Sequence, residues 1–279
     1  MPLKDMLILT TPPNGLAQAR ETGLTIGHMA YRVGRGPHLF RSGVPVPLRA
    51  GLMVVDAKGF DGRGEPGVLC QEILRECAAR GFGGVICDFE GRTIPLLERV
   101  LSQLDEMLVR KGLTLHVPEG YGHCTQKGRV LIPSALSGGS LTQRLEESVL
   151  RFGGPERITL AIQRVAEDFF LPSPTGSGRP MSREELTRQL SERAPSVFFS
   201  NELCARYFTY MSRESGAHFI LFDDAMSIRK KLQVARSLGI SRAVAALPEI
   251  DDLLPELLGG NCDLAVRRPD EGIGPYAIF

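Results

Sequence analysis

The chain reads as an α/β protein, a (β/α)8 TIM barrel carrying a small α+β insertion before its last strand, and three observations predict it. Short apolar runs ending in polar or glycine-containing turns alternate with amphipathic stretches, the rhythm of parallel strand–helix units. A length of 279 residues suits one barrel of this kind, which commonly uses about 250 residues around a single core. One run ends on two acidic residues two positions apart, at the strand end where such barrels present their functional groups. Residues 1–279 are therefore expected to form a single barrel domain, with the insertion at about 170–222.

The expected strands are residues 24–31, 52–56, 84–90, 113–117, 130–134, 158–163 and 243–247, with a poorly written eighth around 39–46. Residues 68–80 place Leu69, Ile73, Leu74 and Cys77 on one helical face. Residues 93–110 do the same with Leu97, Val100, Leu101, Leu104 and Leu108. Residues 141–152 and 228–238 add two more helices, the second following Asp223, Asp224 and Ser227, residue types that cap exposed backbone N–H groups. From about 170 the rhythm breaks. Pro172, Pro174, Gly176, Gly178 and Pro180 write a loop, and residues 182–193 write a helix. Residues 207–211 and 218–222 then pair as a hairpin around Ser215-Gly216.

Composition narrows the functional classes. An apolar fraction of 43% and a charged fraction of 23% belong to an ordinary globular protein. Lys and Arg number 33 against 32 Asp and Glu, so no global field draws the chain to nucleic acid or to an anionic membrane. No apolar run approaches 18 residues and residues 1–9 lack a cleavage pattern, which predicts a cytoplasmic location. Six cysteines, Cys70, Cys77, Cys87, Cys124, Cys204 and Cys262, form no Cys-x-x-Cys pair, so reduced thiols are expected and no metal site is assigned. His116, His123 and Cys124 are the one group of ligand types that could converge after a strand.

In residues 84–90 side chains alternate, so Gly84, Ile86, Asp88 and Glu90 share one face and Val85, Cys87 and Phe89 the other. Two carboxylates held close resist ionising together, which favours keeping a proton on one of them and suits general acid catalysis. Tyr31, at the end of an early strand, is placed to line the mouth. Glu119 and Tyr121 lie in the glycine-flanked turn Pro118-Glu119-Gly120-Tyr121-Gly122, which could bring either over the site. Asp168 follows the strand at 158–163. Asp61-Gly62-Arg63-Gly64 lacks phosphate-loop spacing and reads as an ordinary turn.

Phe82-Gly83-Gly84-Val85-Ile86-Cys87-Asp88-Phe89-Glu90 resembles the signature strand of glycoside hydrolase family 18, the chitinase-like family. Tyr207-Phe208-Thr209-Tyr210 and Gly216 to Ile228, followed by Lys231-Leu232 and Leu238-Gly239, resemble the segment before the last strand in the family's spore cortex-lytic N-acetylglucosaminidase branch. Glu156 to Ile162 is similar to the family's seventh-strand entry, with Asp168-Phe169 where an aspartate and a tryptophan are frequent. The resemblance implies a hydrolase of N-acetylglucosamine-containing glycans such as peptidoglycan fragments or chitooligosaccharides. It implies that Glu90 protonates the glycosidic oxygen and that Asp88 orients the substrate's 2-acetamido group, which acts as the nucleophile; no metal or organic cofactor is required.

The pattern is incomplete in three places. Ile86 stands where the family has a further aspartate, and Ile132-Pro133-Ser134-Ala135-Leu136 offers no tyrosine for the acetamido group. Ala245-Ala246-Leu247-Pro248 replaces the usual floor tryptophan, and the chain has no tryptophan at all. Two readings therefore stand: a divergent glycosidase, or an impaired member that binds a saccharide or a protein partner. Oligomeric state is left open by the sequence.

Overall fold

The computed structural model describes residues 3–43, 49–171 and 178–259. Pro172, Pro174, Gly176 and Cys262 lie outside the described residues.

In chain order the elements begin with α1 (Leu3–Met6), β1 (Leu7–Thr11), α2 (Leu16–Glu21), β2 (Thr25–Val33), β3 (Leu39–Arg41) and β4 (Leu52–Asp56). Next come α3 (Pro66–Arg80), β5 (Gly84–Asp88), α4 (Pro95–Val109), β6 (Thr114–Pro118) and, after a 3-10 turn at Glu119–Cys124, β7 (Arg129–Pro133). Then follow α5 (Leu141–Phe152), β8 (Ile158–Ile162), β9 (Ala166–Leu171), β10 (Arg179–Pro180), α6 (Arg183–Arg193), β11 (Phe198–Ser200), β12 (Ala205–Ser212) and β13 (Gly216–Phe222). The described chain ends with α7 (Ala225–Ser237), β14 (Ala243–Ala246), α8 (Leu247–Ile250) and α9 (Leu254–Gly259).

Eight parallel strands close into a barrel in the order β1, β2, β4, β5, β6, β7, β8, β14, the ring being sealed where β1 pairs with both β2 and β14. This is the expected (β/α)8 architecture, with one strand reassigned. The eighth barrel strand is β1, Leu7-Ile8-Leu9-Thr10-Thr11, whereas Leu39–Arg41 is a short antiparallel partner of β2 outside the ring. Every residue of β1 is buried, as a parallel strand covered on both faces must be, and such a run carries no alternation to mark it. β3 turns back because Gly34 donates to the His38 carbonyl at 2.9 Å, closing a tight reversal after β2.

Alternation divides the core into two shells. Ile8, Leu52, Val54 and Ile86, with Met29, Leu131 and Val244 against them, fill the barrel interior. The intervening residues, such as Val55, Val85 and Cys87, face outward onto Leu69 and Ile73 of α3 and Leu97, Leu101 and Leu104 of α4. Each such fully buried aliphatic side chain contributes about 1.5–3 kcal/mol, which is what seats the helices on the sheet. Gly84 admits no side chain: a Cβ there would lie 2.1 Å from Thr114 Oγ1 and 2.5 Å from its carbonyl oxygen, so β5 and β6 approach closely at their start.

The insertion starts earlier than its proline-rich loop suggests, at Ala166. β9 joins β10, β13, β12 and β11 in a five-stranded antiparallel sheet of order β10-β9-β13-β12-β11. The expected hairpin is present, with Tyr207 opposite Leu221 and Tyr210 opposite His218. One face of this sheet packs Phe208, Ile220 and Phe222 beneath Leu186 of α6; the other packs Phe169 and Leu221 with Val165 and Ala135, which lies just past β7 on the barrel rim.

Where the insertion returns to the barrel, Asp223 and Lys231 form a fully buried ion pair, Nζ to Oδ2 at 2.6 Å. Asp223 Oδ2 also accepts the Val165 backbone N–H at 2.9 Å, and the Asp223 N–H donates to the Val165 carbonyl. The residues that flank the insertion, Val165 and Asp223, are thereby clamped together and to α7. Asp224 caps α7, accepting from the Ser227 N–H at 2.8 Å, the role its position before that helix predicts.

Candidate functional site

β4 and β5 run in parallel register, Val54 opposite Ile86 and Asp56 opposite Asp88. Because Val54 and Ile86 point into the barrel, Asp56 and Asp88, two residues further on, point the same way at the C-terminal mouth. Glu90 lies two residues beyond Asp88, past the last ladder pair, and is exposed. Phe89 between them is buried against Tyr121 at 5.8 Å between ring centroids, which pins the segment. Glu90 follows Asp88 closely enough for its charge to act on the Asp88 carboxyl.

The electrostatics follow from this crowding. Burial raises the Asp88 carboxyl above its ordinary range, and the charges of Glu90 and then Asp56 raise it further. Glu249, on α8 after β14, is raised by partial desolvation and by the Asp88 charge, against the Arg164 N–H and the Arg183 charge. Asp88 therefore holds a proton at pH values where an isolated aspartate has lost it. Since its folded-state pKa lies above the unfolded one, the stability it contributes falls as pH rises through the interval between those two values. Glu90→Gln and Asp56→Asn are each expected to lower the Asp88 pKa, the first more than the second. Carboxyl 13C titration would read this, and an Asp88 curve unmoved by both substitutions would show that the three charges do not interact.

Asp56 and Glu249 also belong to this group. Asp56 closes an apolar run just as Asp88 does. Glu249 follows the last strand, where its sequence reads as a solvated loop charge; its place here depends on how α8 folds over the rim. Arg164 holds that fold, donating to the Glu249 carbonyl at 3.2 Å and to Asp252 at 2.7 Å, while Arg183 of α6 donates to Asp251 and to the Pro248 carbonyl, each at 2.5 Å. The insertion helix is thereby tied to the wall of the mouth.

The other four expected site residues are not brought to the mouth. Tyr31 faces outward, because β2 has an irregularity between Met29 and Tyr31 that sets Tyr31 opposite outward-facing Val55. Its hydroxyl donates to Glu76 of α3 at 2.9 Å and its ring packs edge-on against Phe82. Tyr121 is buried, its hydroxyl accepting the Ile94 N–H at 2.9 Å; it buttresses the loop bearing Glu90 without facing the opening. Glu119 pairs with Arg144 and, at 3.5 Å, with Arg151, both on α5. Asp168 belongs to the insertion sheet, not to a barrel strand end. It is buried and accepts from His218 Nδ1 at 2.8 Å, and His218 Nε2 in turn accepts from Ser215 Oγ at 2.7 Å when the ring proton is assigned to Nδ1. The His218 ring stacks on Tyr210 at 4.4 Å, which fixes that edge of the sheet.

Ser134, standing near the missing tyrosine, is fully buried and accepts the Gln163 N–H at 3.1 Å, so its hydroxyl is engaged in joining β7 to the end of β8. On β14 Val244 points inward, so Ala246 does too, leaving a methyl group at the mouth where the resemblance anticipated a tryptophan. His116 points into the barrel, with Nδ1 3.1 Å from Thr159 Oγ1 and burial depressing its pKa to about 3, so it is neutral and separate from His123 and Cys124. Among the described residues the cysteines are free thiols; burial lifts Cys70 to about 11 and Cys77 to about 12. Asp61 accepts the Arg63 N–H at 3.1 Å in an ordinary turn. No described helix is long and apolar enough to cross a membrane.

No family model and no curated protein matches this chain. Solved structures do. The chitinase of Chromobacterium violaceum ATCC 12472 is similar at a TM-score of 0.67 and 14% identity, over 91% of this chain and 98% of that one. A glycoside hydrolase family 18 chitinase of Cycas revoluta, crystallised with (GlcNAc)3, gives 0.62 and 12%, over 91% and 98%. The spore cortex-lytic enzyme SleL of Bacillus megaterium QM B1551 gives 0.60 and 16%, over 88% of this chain and 71% of that one. At these identities the likeness establishes the fold: a barrel of the chitinase type.

Proposed function

We propose that the chain is a glycoside hydrolase acting on N-acetylglucosamine-containing glycans, peptidoglycan fragments or chitooligosaccharides, with Glu90 and Asp88 as its reacting pair. The observation that carries this reading is the carboxylate pair at the mouth of β5, with Asp88 raised by burial and by its neighbours' charge. Fold alone does not establish chemistry, so the pair is what gives the likeness to chitinases functional content.

In this reading the proton that the pair holds on Asp88 passes to Glu90, exposed at the rim, which gives it to the glycosidic oxygen as the C1–O bond breaks and leaves Asp88 as the carboxylate. The carbonyl oxygen of the sugar's own 2-acetamido group closes on C1, and Asp88, the more buried acid, accepts a hydrogen bond from the acetamido N–H and steadies the positive charge that develops. Water then opens the bicyclic intermediate from the first face, returning the proton to Glu90 and retaining the anomeric configuration. Phe89 on Tyr121, with Tyr121 bonded to the Ile94 N–H, keeps Glu90 from wandering, which matters because misplacement by about 1 Å can cost 10²-fold in rate.

The test compares 4-nitrophenyl β-glycosides of N-acetylglucosamine oligomers with the matching 2-hydroxy glucosides. Release from the N-acetyl series alone is expected. Equal release from both, or release from neither, overturns the reading. A second reading, saccharide binding without turnover, is favoured by Ala246 and by a chain without tryptophan, since an aromatic platform contributes on the order of 1 kcal/mol beyond burial. Calorimetric binding of the N-acetyl oligomers with no product formed would establish it in place of the first.

A further inference from the structure

We propose that Glu98, His123 and Cys124 form a zinc site that locks the 3-10 turn after β6 onto the first turn of α4. This site lies apart from the carboxylates of the barrel mouth and does not depend on the glycosidase reading.

Three ligand types from two elements converge there. His123 Nε2 lies 3.5 Å from a Glu98 carboxylate oxygen and 3.4 Å from Cys124 Sγ, and all three potential ligand atoms lie within 4.8 Å of one another. Zinc bonds of about 2.0–2.1 Å to nitrogen or oxygen and about 2.3 Å to sulfur, set at tetrahedral angles, require ligand-to-ligand edges of about 3.3–3.6 Å. The two measured separations fall on those edges. A small rotation about the flexible Glu98 side chain would close the third.

The chemistry of the set selects the ion. A thiolate with an imidazole and one carboxylate suits zinc, while calcium and magnesium prefer oxygen ligands alone. Cys124 is also the only described cysteine that is not buried, so it is the thiol a metal ion can reach. With three protein ligands the fourth position falls to water, on the side where His123 is 64% exposed.

The position gives the ion a structural task. Between the turn at Glu119–Cys124 and the β5–α4 loop, Tyr121 already accepts the Ile94 N–H and packs on Phe89. A zinc ion joining Glu98 to His123 and Cys124 adds a second fastening between the same two pieces, four residues further along α4 than Ile94. It thereby stiffens the support of the segment that ends in Glu90.

The experiment titrates the reduced, metal-free full chain with cobalt(II), whose thiolate complexes show a near-ultraviolet charge-transfer band and strong visible bands when tetrahedral. One equivalent is expected to produce both, zinc is expected to displace it, and zinc alone is expected to raise the thermal midpoint. Cys124→Ser should abolish the charge-transfer band, and His123→Ala and Glu98→Gln should each weaken binding at least tenfold. Absence of the band in the native chain, or a band that survives Cys124→Ser, overturns the proposal. Should Cys124→Ser fail to fold, His123→Ala decides it, since that side chain is mostly exposed: a band of undiminished affinity overturns the site.

Discussion

Glu90→Gln is expected to lower kcat/KM on N-acetylglucosamine glycosides by about 10²–10⁴-fold, the contribution of a positioned general acid, while leaving the fold intact. Glutamine keeps the shape and loses the proton. Glu90 is exposed and lies beyond the β4–β5 ladder, so no backbone pairing depends on it. Removing its charge also relieves the repulsion that raises Asp88, so the thermal midpoint should hold or rise slightly. A general acid matters in proportion to how much its leaving group needs a proton. The loss should therefore be large for an alkyl or sugar leaving group and small for a dinitrophenolate, which departs without help. Equal losses across that series would show that Glu90 positions the substrate and does not protonate it.

Lys231→Met is expected to destabilise the protein by about 3–5 kcal/mol, the usual consequence of leaving one member of a buried ion pair behind. Lys231 and Asp223 are both without solvent exposure, and Asp223 would retain only the Val165 N–H as partner for its Oδ2. Its Oδ1 already has no hydrogen-bond partner, so there is no second donor to compensate. Burial raises the Asp223 pKa and the lysine opposes it; without the lysine the carboxyl moves higher still. The folded variant then binds a proton that the unfolded chain has released. Its stability should fall as pH rises from the ordinary aspartate value, about 3.9, towards the raised one. Denaturant midpoints measured between pH 4 and 8 would test the sign. Lys231→Met with Asp223→Leu should recover much of the loss, because an apolar pair of similar volume can replace a buried ion pair. A double variant no more stable than the single would place the damage in packing and not in charge.

These two substitutions probe different parts of one arrangement. The barrel presents its acids at the strand ends, and the insertion is anchored close by through Asp223 and Lys231 at its base and through Arg183 to α8 at the rim. Glu249 sits on that same α8 and feels the charge of Asp88. Loosening the anchor is thus a route by which a change far from Glu90 could alter the mouth.

The sequence by itself determined whatever depends on local periodicity. The faces of α3 and α4, the existence of α5, the hairpin around Ser215-Gly216, the cap before α7 and the inward direction of Asp88 are all consequences of 3.6-residue or two-residue repeats and of residues with strong turn or capping chemistry. β1 carries no such mark because a strand buried on both faces has no polar face to alternate with, and the run around 39–46 does not write the direction of its pairing, which in β3 is antiparallel to β2. Tertiary structure alone decided which residues meet. A single irregularity in β2 turned Tyr31 from the mouth to α3; Tyr121 and Glu119 went to the support of neighbouring helices and loops; Asp168 joined a sheet whose start lay before the proline-rich loop. Asp56 and Glu249 entered the carboxylate group, and Glu98 came to His123 and Cys124, through strand register and helix placement. The physical reason is common to all of them. Side-chain direction within an element repeats with the backbone, but proximity between elements is fixed by how the layers pack.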